Sequence, residues 1–412
     1  MLAKNIAILT LIYAAKLLVP LLVIPVLARV VDSDSYGIYM YAISFATWLS
    51  IFIEYGFNLS STRDVASSQD LDEISGIVRG TESAKLLLTL ATLPLLFVAL
   101  VWLPPFQGAS TWAITAWILG VLLAFSPTYY FQGRERLRVV GLAELGSGAA
   151  ILIGVLTLVN TRDDFVRLPW IILIPRVTAT VALIIAMHHG TVQQSSYRPS
   201  LALGWQFIRR GSHFFVFQAA VSLYTTFNVV FLGFFCTPAQ VGAYATAEKL
   251  MRAGLGFIAQ FSAAIFPRLN AIKASNTAKM ERLRTATLCG FLVLGLAGIV
   301  FTRGISSTVA EFLLGRNFGE VEALLDIMAF VIPAIAMSNV LGLHFLIVDR
   351  HEKIFNFIII AAAFINLALA YFMVTRHGVH GMASAWVCIE WLIAAATGLV
   401  VLKLRVSRKI EG

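Results

Sequence analysis

Apolar residues run through this chain in long blocks, and polar residues gather in the short gaps between them. A bilayer core about 30 Å thick needs roughly 20 mainly apolar residues to cross it as a helix. On that measure the pattern predicts twelve spanning helices, at 5–30, 36–59, 80–103, 112–131, 139–159, 167–187, 206–235, 242–267, 285–302, 319–347, 354–374 and 381–403. The longest gaps, 60–79 and 188–204, are too short to hold a folded domain outside the membrane. The first block carries Lys4 alone before it, lacks a small-residue cleavage site and is too long for a signal peptide core. It is expected to be an uncleaved first span.

Composition agrees with the pattern. The 412 residues are 59% hydrophobic and 13% charged, against roughly 25% charged in soluble domains. The fold class is therefore an all-α polytopic membrane protein. A net charge of +9 would suggest nucleic acid in a soluble domain, but here the excess sits in the gaps, so no nucleic acid partner is expected. With the N-terminus inside, 21 Lys and Arg fall in cytoplasmic segments and 6 in outer ones. That bias orients both termini toward the cytoplasm. Cys236, Cys289 and Cys388 lie far apart, which indicates neither a disulfide framework nor a zinc site. No P-loop, H-E-x-x-H or G-x-S-x-G motif occurs, and the short outer loops leave no room for catalytic carboxylates. The expectation is a protein that is not an enzyme and takes no cofactor or metal.

The chain also looks doubled. Slid by 205 residues, Leu27 falls on Leu232, Gly37 on Gly242, Tyr39 on Tyr244, Phe52 on Phe257, Ile53 on Ile258, Arg63 on Arg268 and Ala66 on Ala271. The predicted fourth and tenth spans end alike, in FQGRER (131–136) and IVDRHEK (347–353). Six spans on each side predict two six-helix bundles related by a pseudo-two-fold axis along the membrane normal, a plan that transporters use with the substrate between the halves. The expected divisions are an N-terminal lobe at 1–187, a cytoplasmic linker at 188–204 and a C-terminal lobe at 205–412.

Charges within spans are rare and mark pathways. Lys16 and Arg176 lie near the middle of the first and sixth spans. Glu248, Lys249 and Arg252 cluster in the eighth, and Glu390 lies mid-way along the twelfth. Glu248 and Arg252 are spaced to pair on one helix face, which admits a purely structural reading. Glu54 and Glu144 are near enough to span ends to reach the cytoplasmic interface. Together the six deep charges leave an excess of +2. A positive, partly dry cavity favours an anion, and arginine offers forked contacts to phosphate. Lys16, Arg176, Lys249 and Arg252 are thus the candidate substrate-binding residues, with Glu248 and Glu390 as candidate carriers of a coupling ion. Prolines at 20, 25, 127, 175, 267 and 333 kink several spans. Tyr129 and Tyr130 are read as packing residues rather than sugar platforms.

Three stretches carry a resemblance. LARVVDSDSYGIYMYAISFATWLSIFIEYGFNLSSTRDVA (27–66) resembles the start of the Wzx-type O-antigen and exopolysaccharide flippases of the MOP superfamily: Ala28 and Arg29, an acidic turn, Gly37 and Tyr39, then Arg63. FQGRERLRVV (131–140) resembles that family's F-Q-G segment. LGFFCTPAQVGAYATAEKLMRAGLGFIAQFSAAIFPRL (232–269) resembles its L-G, G-x-Y, A-E-K-L and P-R stretch, in which Glu248 and Lys249 match. The family implies translocation of undecaprenyl-diphosphate-linked oligosaccharide across the bacterial inner membrane by alternating access of two bundles around a cationic cavity. A polysaccharide polymerase and a chain-length regulator are candidate partners, and H+ or Na+ a candidate coupling ion. Two other readings stay open. One is a small-molecule or drug antiporter of the same superfamily, which would favour an acidic cavity. The other is a non-transporting scaffold of a polysaccharide assembly complex, which would need no deep charges in both lobes.

Overall fold

Helix starts and stops follow local chemistry. The structure is a computed structural model that describes residues 21–191, 199–273, 277–315 and 319–411. Lys16, Pro20, the first sixteen residues of the expected first span and positions 192–198 of the expected linker lie outside the described residues. Every long element is a helix, and no strand occurs among the described residues.

The chain divides by its own contacts into two compact units, Met1–Ser222 with Val229–Gly242, and Leu223–Asn228 with Ala243–Gly412. The first holds α1 (Leu21–Val30), α2 (Ser33–Glu54), α3 (Phe57–Ser67), α4 (Leu71–Ala91), α5 (Leu93–Trp102), α6 (Ser110–Phe125), α7 (Thr128–Gly133), α8 (Leu137–Leu158) and α9 (Leu168–Thr191). It also holds most of α10 (Leu201–Thr225) and of α11 (Phe227–Leu232), and the first turn of α12 (Pro238–Lys273). The second unit takes the body of α12, then α13 (Thr277–Leu314), α14 (Gly319–Met328), α15 (Val331–Asn339), a π-helical turn at Val340–Ile347 and α16 (Glu352–Glu411).

Asp32 caps α2 by accepting the Ser35 amide at 3.0 Å. Asp70 caps α4, with Asp72 and Glu73 in its first turn, where acidic groups suit the positive end of the helix. That start, nine residues before the one predicted at 80, carries Lys85 into the interior. Between α2 and α3, Tyr55 and Gly56 both adopt left-handed backbone (φ 54° and 82°). Glu54 turns back across this corner, accepting the amides of Gly56 at 3.1 Å and of Asn58, with Gln218 donating to it at 3.1 Å. It is buried rather than reaching the interface as the sequence suggested.

The resemblance between FQGRER and IVDRHEK is a shared backbone motif. After α7, the Arg136 amide donates to the Phe131 carbonyl at 2.7 Å and Glu135 to Gln132 at 3.0 Å. After the π turn, His351 donates to Leu346 at 2.7 Å and Arg350 to Ile347 at 3.0 Å. Both are Schellman caps, with Glu135 (φ 57°) and Arg350 (φ 63°) in the left-handed position that glycine usually takes.

The G-x-Y glycines have a steric duty. A Cβ on Gly37 would stand 1.8 Å from the Pro238 carbonyl oxygen, and one on Gly242 would stand 2.7 Å from the Gly37 Cα. The Asp34 side chain accepts the Ala239 amide at 3.2 Å, so the start of α2 is fixed against the first turn of α12. Gly378 (φ 54°, ψ −133°) interrupts α16, between the eleventh and twelfth predicted spans. In the second unit α15 packs on both α13 and α16.

Among the described residues, eight helical segments are long and apolar enough to cross a membrane. α10 contains Arg209, Arg210 and His213, and α12 contains Glu248, Lys249 and Arg252. Many large apolar side chains face outward, including Trp170, Phe234, Phe301, Phe357 and Phe364. So much exposed apolar surface exceeds what a water-solvated monomer carries and suits contact with lipid. Interior packing is aromatic in places: Phe106 meets Tyr41 and Phe45 at centroid distances of 5.0 and 5.7 Å. Tyr129 and Tyr130 are both buried in one hydrophobic cluster with Val78, Leu183 and Met187, which is the packing role read from the sequence.

Candidate functional site

Glu248, Lys249 and Arg252, clustered in sequence, lie on α12 within the second unit. Glu248 and Arg252 are one turn apart on α12, and they pair. The Arg252 Nε and Nη2 atoms donate to Glu248 Oε1 at 2.9 and 2.6 Å. Nη2 also donates to the Thr225 carbonyl at 3.0 Å, at the C-terminal end of α10, where carbonyls lack helical donors and attract cations. The guanidinium carbon lies 5.1 Å from the centre of the Trp386 ring. Trp386 Nε1 in turn donates to Glu390 Oε1 at 3.2 Å. Glu248 and Glu390 are buried, whereas the Arg252 side chain is 39% exposed.

This geometry fixes what remains available. Arginine carries five N–H donors in a rigid plane. The pairings above engage Nε and Nη2, so the two N–H groups of Nη1 are unpaired among the described residues. Carboxylate, carbonyl and ring hold the guanidinium plane from three directions. What is presented is one oriented nitrogen with two N–H donors and a full positive charge, able to make a charge-assisted hydrogen bond to a phosphate or carboxylate oxygen. Lys249 is half-buried on the same helix. Deeper in the second unit, the Asn366 amide donates to Asn228 Oδ1 at 3.2 Å, and both side chains are buried.

In the first unit, Arg176 follows Pro175 in α9, and its Nη1 donates to Glu144 Oε2 at 2.6 Å. Glu144 is supplied by α8, so it faces Arg176 instead of reaching an interface. The Arg176 side chain is 23% exposed, and this is its one hydrogen bond among the described residues. Each unit therefore places an arginine at a carboxylate with donors to spare. Of the six expected site residues, the structure joins Glu248, Arg252 and Glu390 in one chain of contacts through Trp386. It seats Arg176 on Glu144, leaves Lys249 beside Glu248 in sequence, and does not describe Lys16.

Two buried cations went unnoticed in the sequence. Lys85, 1% exposed, donates to the Ala124 carbonyl at 2.6 Å and lies 5.0 Å from the Tyr129 ring centre. Arg284, also 1% exposed, donates to Asp349 at 2.8 Å and Glu281 at 2.8 Å, and shares the Phe345 ring with Arg405. The sequence reading counts both on the cytoplasmic side, Lys85 near the start of the predicted third span and Arg284 just before the ninth. Helix limits would have corrected this: the Asp70, Asp72, Glu73 start signal places Lys85 fifteen residues into α4.

An apolar cavity of about 450 Å³ lies between α12, α13 and α15, lined by Met251, Leu255, Phe261, Phe301, Ile305 and Ile332 among others. It is lined on α12 by Leu250, Met251, Gly254, Leu255 and Ile258 and offers almost no polar surface, so it suits a hydrocarbon chain and not an anion.

Residues 2–273 match the family described as Polysaccharide biosynthesis protein. A protein of Escherichia coli (strain K12) named "Putative O-antigen transporter" is 27% identical over 404 residues, covering 96% of this chain and 95% of its own. A protein of the same name from Shigella dysenteriae is 28% identical over 395 residues, covering 95% and 97%. Among solved structures, lipid II flippase MurJ in an inward closed conformation superposes with a TM-score of 0.74 at 12% identity, over 95% of this chain and 87% of that one. An inward-facing multidrug resistance MATE family transporter of the MOP superfamily gives 0.71 at 14% identity, over 95% and 98%. At such identities these likenesses establish the fold. The motifs at 27–66, 131–140 and 232–269 thus pointed to the right relatives, and the chain, built on a MOP-type fold, belongs to the polysaccharide biosynthesis protein family.

Proposed function

We propose that this chain is a flippase that carries undecaprenyl-diphosphate-linked oligosaccharide, an O-antigen or exopolysaccharide repeat unit, across the bacterial inner membrane by alternating access. The observation that carries the reading is the half-exposed Arg252, whose two Nη1 donors are unpaired among the described residues while Glu248, Thr225 and Trp386 hold its plane. Arg252 binds a phosphate of the diphosphate, with Arg176, Lys249 and Lys16 as the further binding cations. The apolar cavity between α12, α13 and α15 takes part of the lipid tail. Glu248 and Glu390 are the candidate coupling carboxylates, with H+ or Na+ as the ion. The two relatives named as O-antigen transporters and the fold shared with a lipid II flippase support the reading.

The architecture that goes with this function has twelve spans in two six-helix bundles, at 1–187 and 205–412, joined by a cytoplasmic linker, with both termini in the cytoplasm. The polymerase and chain-length regulator of the same glycan are the expected partners.

The test is made in cells deleted for this gene with the glycan pathway intact. Undecaprenyl-diphosphate-linked oligosaccharide is quantified in lipid extracts after deletion, after return of the wild-type gene, and after return of Arg252→Ala. Accumulation on deletion that clears with the wild type and persists with the variant is the expected result. No accumulation on deletion would overturn the flippase reading in favour of a small-solute antiporter.

A further inference from the structure

Arg284 and Lys85 are equally buried, yet their surroundings differ. Arg284 sits between two carboxylates, Asp349 and Glu281. Its charge is matched on the spot, and arginine does not lose its proton in proteins, so this is a fixed structural ion cluster. Lys85 makes its one hydrogen bond, among the described residues, to a neutral carbonyl at Ala124. Its other neighbour is the face of Tyr129. An ammonium has three donors, so two are left without a protein partner among the described residues.

The carboxylates that face Lys85 are committed elsewhere. Glu54, at the end of α2, lies within electrostatic reach, but accepts from the Gly56 and Asn58 amides and from Gln218 of α10. Glu82, one turn earlier on α4, is also within reach, but is bonded to His188 of α9 at 2.8 Å. From α6 and α7, Lys85 meets only the Ala124 carbonyl and the Tyr129 ring. A buried cation without a directly bonded counter-ion is costly in a low-dielectric interior, and lysine, unlike arginine, can relieve that cost by releasing its proton.

The partner carbonyl marks a break. α6 stops at Phe125, Ser126 turns to ψ 122°, and Pro127 has no N–H to give before α7 begins at Thr128. Interrupted spanning helices with free carbonyls are where transporters hold cations. Here the cation is a side chain of the protein itself.

We propose that Lys85 is a proton-exchanging residue of the first unit, and that its ammonium, while protonated, pins the α6–α7 break to α4. In the step proposed, an Nζ–H bond breaks, the proton passes to water, and the lone pair stays on the neutral amine. The Ala124 carbonyl then loses its charge-assisted partner and the break is free to bend. The role in transport rests on the flippase reading above; the exchange of the proton does not.

The experiment uses the purified full chain in proteoliposomes. The probe is a synthetic polyprenyl-diphosphate-linked disaccharide with a fluorescent tag on its sugar, followed with and without an imposed pH difference. Wild type, Lys85→Arg and Lys85→Met are compared. The pH difference is expected to accelerate the wild type, and both variants are expected to lose that acceleration while keeping the slower movement seen without it. Acceleration retained in Lys85→Arg overturns the proposal, because arginine keeps the charge but cannot release the proton. A wild type indifferent to the pH difference overturns it as well. Should the Met variant fail to fold, the Arg variant carries the comparison.

A second measurement needs no substrate. Potentiometric titration in detergent is expected to show wild type exchanging one more proton near neutral pH than Lys85→Arg, and equal curves overturn the proposal. Failure of the flippase reading has a different signature, a probe that does not move under any condition while the titration still differs.

Discussion

Arg252 and Arg284 are the same residue type in the same unit, and exposure separates their roles. Arg252 keeps donors unpaired and its side chain is 39% exposed; Arg284 is 1% exposed and bound to Asp349 and Glu281. Replacing Arg252 by Ala removes charge-assisted hydrogen bonds worth about 1.5–3 kcal/mol each, a loss of roughly tenfold or more in transport. Arg252→Lys keeps the charge but loses the fork and the ring contact, so its transport rate is expected between those of wild type and Ala in the lipid-accumulation assay. Arg284→Met should instead act on stability. It takes the buried guanidinium away from Asp349 and Glu281, at a cost of about 3–5 kcal/mol, read as a lower melting temperature in detergent. The double variant Arg284→Met, Asp349→Asn should recover part of that loss, since the two are coupled. Sequence spacing alone exposed the Glu248–Arg252 pair because both lie on one helix. It could not expose Arg176 with Glu144, which come from different helices, or Arg284 with Asp349, which are 65 positions apart.

Helix ends are where the sequence was read least well, and the reason is physical. Apolar runs report where a helix is in contact with lipid or core, not where its backbone hydrogen bonding begins. α4 starts at Leu71 on the strength of the Asp70 cap, while its apolar run starts later, and the difference hid Lys85. The tenth predicted span, 319–347, contains α14, α15 and a π turn, breaks that hydrophobicity does not register. The likeness of FQGRER to IVDRHEK, by contrast, was visible in the letters and corresponds to the same helix cap. That cap yields a prediction. Glu135 and Arg350 hold left-handed backbone that costs a residue with a Cβ roughly 1–2 kcal/mol relative to glycine. Both are exposed. Glu135→Gly and Arg350→Gly should therefore each raise the melting temperature, with transport unchanged. Gly37→Ala should do the reverse, because its Cβ would overlap the Pro238 carbonyl. A melting temperature equal to the wild type's would show that this close approach does not exist.

At the scale of the whole molecule, the number of crossings is the quantity most in need of a measurement. Among the described residues, eight segments are apolar enough to cross unaided. The run Glu352–Val406 is counted once among them although Gly378 breaks it, and it has the length for two spans at 1.5 Å per residue. Charge distribution gives an independent handle. The 21-to-6 partition of Lys and Arg holds only if α10 with α11 and then α12 each cross once. Reporter fusions decide it. A reporter active in the cytoplasm should be on when fused within the 188–204 linker or after Gly412. It should be off when fused after Arg162, after Thr237 or after Arg376. The fusion at Thr237, between α11 and α12, is the most informative. An active reporter there means that α10 and α11 return without crossing. The orientation of everything downstream then depends on α12 alone, and the cations of the second unit would have to be reassigned to the opposite side of the membrane. An inactive one, with the fusions in the linker and after Gly412 both active, fixes an even number of crossings between those two points and places the Glu248–Arg252 pair on a helix that runs from the outer face inward, as a site reached from both sides requires.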